Sequence, residues 1–177
     1  MNGSVYLQNN SMIRKIDDLG RIVIPKDLRK KLHISEGEDL ELSLLDNAIC
    51  LKKYSSLLEI KNQLSNIIST IERNLHIKAI ITDRNEVLSS SFTTNDNKLL
   101  SIITNTIMDR EHVIAKDIIK LNITQDLIIE GYISYYPIIV NSTEKGLLIF
   151  IADKNYSFIE PIIKLVTDII SIIIESS

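Results

Sequence analysis

The stretch IRKIDDLGRIVIPKDLRKKL, residues 13–32, decides how the first part of the chain folds. Two short runs rich in β-branched residues, 13–16 and 21–24, flank the turn-forming residues 17–20, and Pro25 follows the second run. This order is typical of a β-hairpin that ends at a proline. The sequence therefore predicts a hairpin of two short strands at this point.

A short helix and two further strands are expected after the hairpin. Leucines spaced four residues apart predict a helix of one to two turns over residues 26–33. Leucines alternate with polar residues in residues 40–44, and an Asp-Asn turn leads to residues 48–52, which predicts two more strands. Four short strands and one small helix bury too little surface to fold alone without a metal or disulfides. We therefore expect two copies of residues 12–54 to share one core as an obligate dimer.

The periodicity of the sequence changes at Ser55. From there apolar residues recur at steps of three and four, which predicts a helix of about twenty residues. Ser55 or Ser56 is available as the N-cap, and Glu59 is placed for a capping box. The boundary between two domains is therefore expected near residues 53–56, with almost no linker. The predicted segments are a flexible arm at residues 1–11, a module at residues 12–54 and a second domain at residues 55–177.

The remainder of the chain predicts a mixture of helix and strand. Strands are expected at residues 77–82, 87–90, 113–118, 131–140 and 145–151, and helices at residues 97–108 and 157–174. This order indicates an antiparallel sheet with helices packed on it. The fold class is therefore expected to be α+β.

The last predicted helix is apolar around most of its circumference. One sheet face cannot cover so wide a surface, and an uncovered patch of this size is a liability for a monomer. Either the helix is fully buried within its own domain, or it forms an interface with a second subunit together with the helix that opens the domain. We favour the interface. The residues expected there are Leu57, Ile60, Leu64, Ile67, Ile71, Ile162, Val166, Ile169 and Ile173.

The composition argues against several classes of protein. Hydrophobic residues make up 45% of the chain and aromatic residues 5%, with no Trp, so stacking platforms for single-stranded nucleic acid are not expected. Cys50 is the single cysteine and no charged-then-apolar leader precedes it, which places the protein in a reducing cytoplasm. Charged residues and a proline interrupt the most apolar stretch, residues 158–174, so no membrane segment is expected.

The sequence gives no case for catalysis, a metal or a cofactor. His33, His76 and His112 fall in three different predicted elements, and no cysteine or histidine spacing resembles a metal site. No nucleophile elbow, P-loop or dinucleotide fingerprint occurs, and five glycines provide no phosphate-binding loop. We therefore expect a protein that is not an enzyme.

Positive charge is concentrated near the start of the chain. Residues 1–53 hold nine Lys/Arg against eight Asp/Glu, net +1, whereas residues 54–177 hold eleven against fifteen, net −4. Residues 13–31 contain seven basic and three acidic residues. Taken alone, so modest an excess is more often an ordinary solvated surface, but a dimer would duplicate it across a two-fold axis and present it to a DNA backbone. The basic residues of this stretch are therefore the candidates for DNA binding.

The residues of this basic stretch resemble a known family. The sequence closely resembles the AbrB family of transition-state regulators. The matching positions are residues 14–32, Ile34, Gly37, Leu40-Glu41-Leu42 and Leu51-Lys52-Lys53-Tyr54. That resemblance implies a swapped-hairpin β-barrel dimer that binds double-stranded DNA tolerantly, often AT-rich DNA. It implies DNA contacts by Arg14, Arg21 and Arg29, with Lys30 where a second arginine is common. Lys15 and Lys31 are weaker candidates because they are adjacent to these positions. Lysine keeps the charge at position 30 but lacks the bidentate fork.

An AbrB-like module followed by a helix and an α+β domain resembles, more narrowly, the sporulation regulators of this family. The resemblance implies a C-terminal domain of GAF fold that forms homotetramers through its helices and serves late gene expression in the forespore. Such a domain either binds a small ligand noncovalently or is only a scaffold, and the sequence leaves both open. The main alternative function is an antitoxin, in which the same module binds DNA and a C-terminal segment binds a toxin. Those segments are usually short and disordered when unbound, unlike residues 55–177.

Overall fold

The computed structural model describes residues 12–32, 34, 36 and 39–176. The chain divides into two compact units between Tyr54 and Ser55, at the position where the sequence predicts a boundary. We call them the N-terminal module and the C-terminal domain. The predicted arm at residues 1–11 lies outside the described residues.

The described part of the N-terminal module contains one helix and one strand pair. Helix α1 spans Lys26–Lys31, and the antiparallel strands β1, Leu40–Leu45, and β2, Ala48–Lys53, pair with Leu42 opposite Leu51. The strands predicted for residues 13–16 and 21–24 are not formed. Between these two runs the turn is closed by a hydrogen bond from the Asp17 N–H to the Arg21 carbonyl, 3.1 Å. An isolated two-stranded hairpin is marginal in water, so these runs need further partners to pair as strands.

No described residue of the N-terminal module is buried. Ile13 is 94% exposed, Leu44 79% and Val23 76%, although aliphatic side chains of this kind normally lie in a core. Seven further apolar side chains are at least half exposed: Ile16, Leu19, Ile22, Leu32, Leu42, Leu45 and Ile49. The described residues of one copy of the module therefore form no hydrophobic core.

The C-terminal domain is a five-stranded antiparallel sheet with helices, which confirms the α+β class. The strands lie in the order β4-β3-β7-β6-β5. The helices are α2, Ser56–Glu59; α3, Lys61–Leu75; α4, Ser101–Met108; and α5, Ile159–Glu175. The strands are β3, Lys78–Thr82; β4, Val87–Ser90; β5, Ile119–Asn122; β6, Ile128–Val140; and β7, Thr143–Ala152.

Alternation along the strands gives this sheet two apolar faces. On one face, Leu148 and Phe150 pack with α3 and α5; on the other, Leu147 and Ile149 pack with α4. Gly146 lets the first face close tightly, because a Cβ there would lie 1.9 Å from the Thr82 carbonyl oxygen and 2.8 Å from Leu57 Cδ1. The domain therefore has a core within one chain, in contrast to the module.

Several predicted elements differ in detail. The expected twenty-residue helix is interrupted at Ile60, and Ser55 makes no side-chain capping bond, so the capping box is not formed. The helix predicted from residue 97 begins at Ser101, since Lys98 pairs with Glu86. The strand predicted at residues 113–118 is reduced to one bridge between Val113 and Tyr135, and β5 follows it instead.

The structure also corrects part of the expected oligomer interface. Four of the nine named residues lie in the core of their own domain, where no second subunit can reach them: Leu57, Ile60, Leu64 and Ile71. Ile67, Ile162, Val166 and Ile173 are half-buried, and Ile169 is 42% exposed. Two apolar residues of α5 that were not among the nine are also exposed: Leu165, 54% exposed, and Ile172, 63% exposed. Among the described residues, no helix is both long and apolar enough to cross a membrane.

Candidate nucleic-acid interface

Asp17 organises the turn over residues 17–21 of the N-terminal module. Its Oδ1 accepts hydrogen bonds from the backbone N–H groups of Leu19, 3.1 Å, and Arg21, 2.7 Å. The Gly20 N–H donates to the Asp17 carbonyl at 3.0 Å, and Gly20 has a φ of +77°, which a glycine adopts without strain. Asp is common in turns because its short side chain accepts hydrogen bonds from backbone N–H groups a few residues ahead.

Asp17 also holds the Arg21 side chain. Its Oδ2 accepts the Nε–H of Arg21 at 2.8 Å, and both side chains face solvent, with 71% of the Arg21 side chain and 37% of the Asp17 side chain exposed. The backbone N–H of Arg21, followed by its guanidinium, lowers the pKa of Asp17 below its usual value. The carboxylate is therefore ionised across the physiological range.

The other predicted basic residues are exposed on either side of this turn. Arg14 and Lys15 precede it, and the Arg14 Nη1 donates to the Ile13 carbonyl at 3.3 Å. Helix α1 begins after Pro25, whose φ of −57° suits a helix start, and carries an acidic residue in its first turn. Its last turn holds the three remaining candidates, Arg29, Lys30 and Lys31, at the end where the helix dipole favours cations.

All six predicted DNA-binding residues are therefore exposed in one module. The structure joins Arg21 to Asp17 but shows no contact among the six basic side chains. Asp17 is the functional candidate that charge counting missed, because an acidic residue lowers the positive charge of a DNA-binding surface. The signal that could have found it is its place at the first position of an Asp-Asp-Leu-Gly turn.

The described residues contain no cluster of three or more His, Cys, Asp or Glu that could hold a metal ion. The Asp126 carboxylate accepts hydrogen bonds from Thr94, Asn95 and Thr124, which lie in two loops of the C-terminal domain. Cys50 is exposed on β2 and is not disulfide-bonded. The buried side chains of Asp83, Thr124 and Ser134 each bond neighbouring backbone amides.

Comparison with known proteins agrees with this organisation. Residues 13–58 match the family described as antidote-toxin recognition MazE, bacterial antitoxin. Stage V sporulation protein T of Bacillus subtilis (strain 168) is 31% identical over 162 residues, which cover 87% of this chain and 90% of that protein. Transition state regulatory protein AbrB of the same organism is 44% identical over 50 residues, 28% of this chain and 52% of that protein.

The chain combines a small module that has exposed basic residues with a separate α+β domain, and its relatives are regulators. These features define a two-domain transcription regulator and not an enzyme. The chain belongs to the AbrB family. The similarity to stage V sporulation protein T covers 162 residues and therefore continues beyond the module into the C-terminal domain.

Proposed function

We propose that this protein is a double-stranded DNA-binding transcription regulator of tolerant sequence specificity, which dimerises through the N-terminal module and tetramerises through C-terminal helices. The observation that carries the proposal is that the module exposes its basic residues and its apolar residues together. An isolated chain gains nothing from so much uncovered apolar surface.

The apolar surface of the module supports a shared core. Each aliphatic side chain of this size contributes about 1.5–3 kcal/mol when it is buried, and ten of them are at least half exposed in one copy. In a swapped-hairpin dimer the residues that flank the turn would pair with strands of the other copy. The resulting β-barrel would bring two sets of arginines to one side of a two-fold axis.

Duplicated basic residues suit a DNA backbone. Each phosphate matched to a Lys or Arg releases counterions, so six to ten contacts make binding steeply dependent on salt. Arg14, Arg21 and Arg29 can bind bidentately, whereas Lys30 supplies charge alone. Positioning by phosphates and recognition of DNA shape, with few base contacts, is consistent with tolerant recognition of AT-rich promoters.

The C-terminal domain supports assembly of dimers into a tetramer. Its sheet with helices on both faces is compatible with a GAF-like fold, and the outer side of α5 exposes Leu165, Ile169 and Ile172 as a stripe. Among the buried polar residues, Asp83, Thr124, Ser134 and Thr167 bond within the domain, whereas the buried hydroxyls of Ser55, Ser56 and Thr82 have no hydrogen-bond partner among the described residues. Because the bonded group is the larger share of the buried polar residues, we favour a scaffold over a sensor of a small ligand.

The similarity to stage V sporulation protein T supports a role in sporulation. We therefore place this regulator in the cytoplasm, and in the forespore during late gene expression. The antitoxin alternative is favoured by the description of the family that matches residues 13–58. That match ends near the start of a folded domain, whereas a toxin-binding segment is usually short and disordered until bound, so we favour the transcription regulator.

Replacement of Arg21 tests DNA binding. In the full chain, we expect Arg21→Ala to weaken binding to both an AT-rich and a GC-rich duplex by about 10- to 100-fold, because each dimer loses two guanidinium contacts. The slope of log affinity against log salt should fall by about 2 per dimer. Fluorescence anisotropy over a salt series measures both quantities.

Lys52→Ala is the matched control, since it removes a cation of the same module that pairs with Glu41 at 3.1 Å on the β1–β2 sheet. Its affinity should stay within about twofold of the wild type, as is usual for a charge outside the contact surface. Unchanged binding by Arg21→Ala would overturn the proposal.

A further inference from the structure

We propose that Asp17 is a positioning residue for DNA binding, which holds the turn with one carboxylate oxygen and the Arg21 guanidinium with the other. The inference rests on the proposed function, because it assumes that Arg21 contacts DNA. It adds a role for an acidic residue in a surface that otherwise recognises phosphates.

The two oxygens of Asp17 have separate partners. Oδ1 accepts the N–H groups of Leu19 and Arg21, whereas Oδ2 accepts the Nε–H of Arg21 at 2.8 Å. The Asp17 N–H donates in turn to the Arg21 carbonyl. Arg21 is thus fixed at its N–H, its carbonyl and its side chain by one residue. All of these contacts lie within a five-residue segment of one chain.

This arrangement leaves the binding end of the guanidinium available. Arginine has five N–H donors, of which Asp17 uses the one at Nε. The two Nη atoms donate to none of the described residues, and one N–H on each of them forms the end-on fork that binds phosphate oxygens or the O6 and N7 atoms of guanine. A long side chain that is already held loses less rotamer entropy when it binds.

The proposal and plain electrostatics predict opposite signs for one substitution. A carboxylate near DNA repels phosphates, so its removal should strengthen binding if charge were its only effect. If Asp17 positions Arg21, the same removal should weaken binding. The lowered pKa of Asp17 agrees with the second view, since the ionised form is stabilised by the bonds from Arg21.

Asp17→Asn separates the two oxygens. The amide oxygen can still accept both turn N–H groups, while the amide nitrogen replaces the acceptor of the Arg21 Nε–H. We expect the full-chain variant to bind AT-rich and GC-rich duplexes of equal length about 3- to 10-fold more weakly than the wild type. Asp18→Asn, the matched control, removes the same charge from the adjacent exposed residue, which makes none of these contacts, and should bind as tightly as the wild type or more tightly.

A double-mutant cycle isolates the contact. In an Arg21→Ala background, Asp17→Asn should no longer weaken binding, because the side chain that it positions is gone. Asp17→Ser is the second variant should Asp17→Asn unfold the module, since its hydroxyl can also accept the turn amides. Circular dichroism checks the folding of each variant.

The outcomes distinguish this inference from the proposed function. If Arg21→Ala weakens binding but Asp17→Asn strengthens it as Asp18→Asn does, the positioning role is wrong and the DNA-binding role stands. If Arg21→Ala has no effect, the proposed function itself fails. Weaker binding by Asp17→Asn that persists unchanged in the Arg21→Ala background would show that Asp17 acts without Arg21, and would also overturn the inference.

Discussion

Asp126 shows at the residue scale how one carboxylate can join two loops of the C-terminal domain. Its Oδ1 accepts from Thr94 Oγ1 at 2.6 Å and from Thr124 Oγ1 at 2.8 Å, and its Oδ2 accepts the Asn95 N–H at 2.8 Å. The hydrogen bond from Thr94, followed by those from Asn95 and Thr124, holds the pKa of Asp126 well below its usual value of 3.8. These loops connect β4 to α4 and β5 to β6.

The lowered pKa predicts how stability depends on pH. The native domain keeps this carboxylate ionised to lower pH than the unfolded chain, so the stabilisation is present above the unfolded pKa and is lost as the pH falls through the folded pKa. We expect Asp126→Asn to lower the midpoint of thermal unfolding at neutral pH, and the difference from the wild type to shrink as the pH falls below about 4. Near-ultraviolet circular dichroism reports on this domain, because it contains four of the six tyrosines.

Asp168→Asn, which replaces an exposed carboxylate on α5, is the control and should leave the midpoint nearly unchanged. A deficit in Asp126→Asn that is constant from neutral to acid pH would contradict the role of the ionised carboxylate.

At the same scale, residue type predicts charge but not geometry. The basic residues of 13–31 can be chosen from the sequence as DNA-binding candidates because cations are what phosphates attract, and the resemblance to the AbrB family narrows that choice to Arg14, Arg21 and Arg29. The partner of Arg21 cannot be chosen in that way, since both Asp17 and Asp18 precede the turn and only the backbone decides which of them faces Arg21. No local sequence pattern predicts the hydrogen bonds from Thr94 and Asn95 to Asp126, because Asp126 lies 32 and 31 residues further along the chain.

At the scale of elements, sequence patterns predicted helices and strands correctly where the burial of successive residues follows the repeat of that element. The alternation in residues 131–140 and the apolar steps of α5 predicted β6 and the last helix, because one chain supplies the sheet and the core that these elements need. The strands of residues 13–16 and 21–24 have a similar pattern but do not form in one copy. Their partners must come from elsewhere, and no local pattern states whether they lie in the same chain.

Helix α5 separates its apolar residues into two sides. Ile159, Ile163 and Ile170 are buried against the sheet, while Leu165, Ile169 and Ile172 form the exposed stripe. The sequence-based prediction considered only how far apolar residues extend around each helix. It therefore assigned part of the interface to buried residues of α2 and α3. The stripe is a better candidate, since a side chain must be accessible in one subunit to contact another.

We predict that Ile172→Glu converts the proposed tetramer to dimers and leaves the C-terminal domain folded. The charge would be desolvated in an apolar contact between subunits, whereas in a single subunit the side chain is 63% exposed and its replacement should change the free energy of unfolding by less than about 1 kcal/mol. Sedimentation velocity measures the assembly.

Lys164→Gln gives the matched control on α5. It changes the charge by −1, as Ile172→Glu does, at an exposed polar position outside the stripe. It should remain tetrameric. A tetramer that persists in Ile172→Glu would mean that the subunits associate through another surface.

At the scale of the whole molecule, the two units meet the need for a core in different ways. The C-terminal domain buries its aliphatic residues within one chain, and the module buries none of its described residues. In the dimer that we propose, the arginines expected to bind DNA come into register only when two chains fold together. Dimerisation and formation of the proposed DNA-binding surface would then be one event, and the stability of the module would depend on protein concentration.

A fragment of residues 12–54 tests this coupling. We expect it to gain β-structure in circular dichroism as its concentration rises, and to scatter light with twice the mass of one chain when it is folded. Val23→Asp should abolish both signals, because Val23, exposed in one copy, would carry a charge into the shared core. Lys52→Ala should keep both. A fragment that folds as a monomer, or that shows the same structure at every concentration, would contradict a core made by two chains, and with it the paired arginine surface on which DNA binding depends.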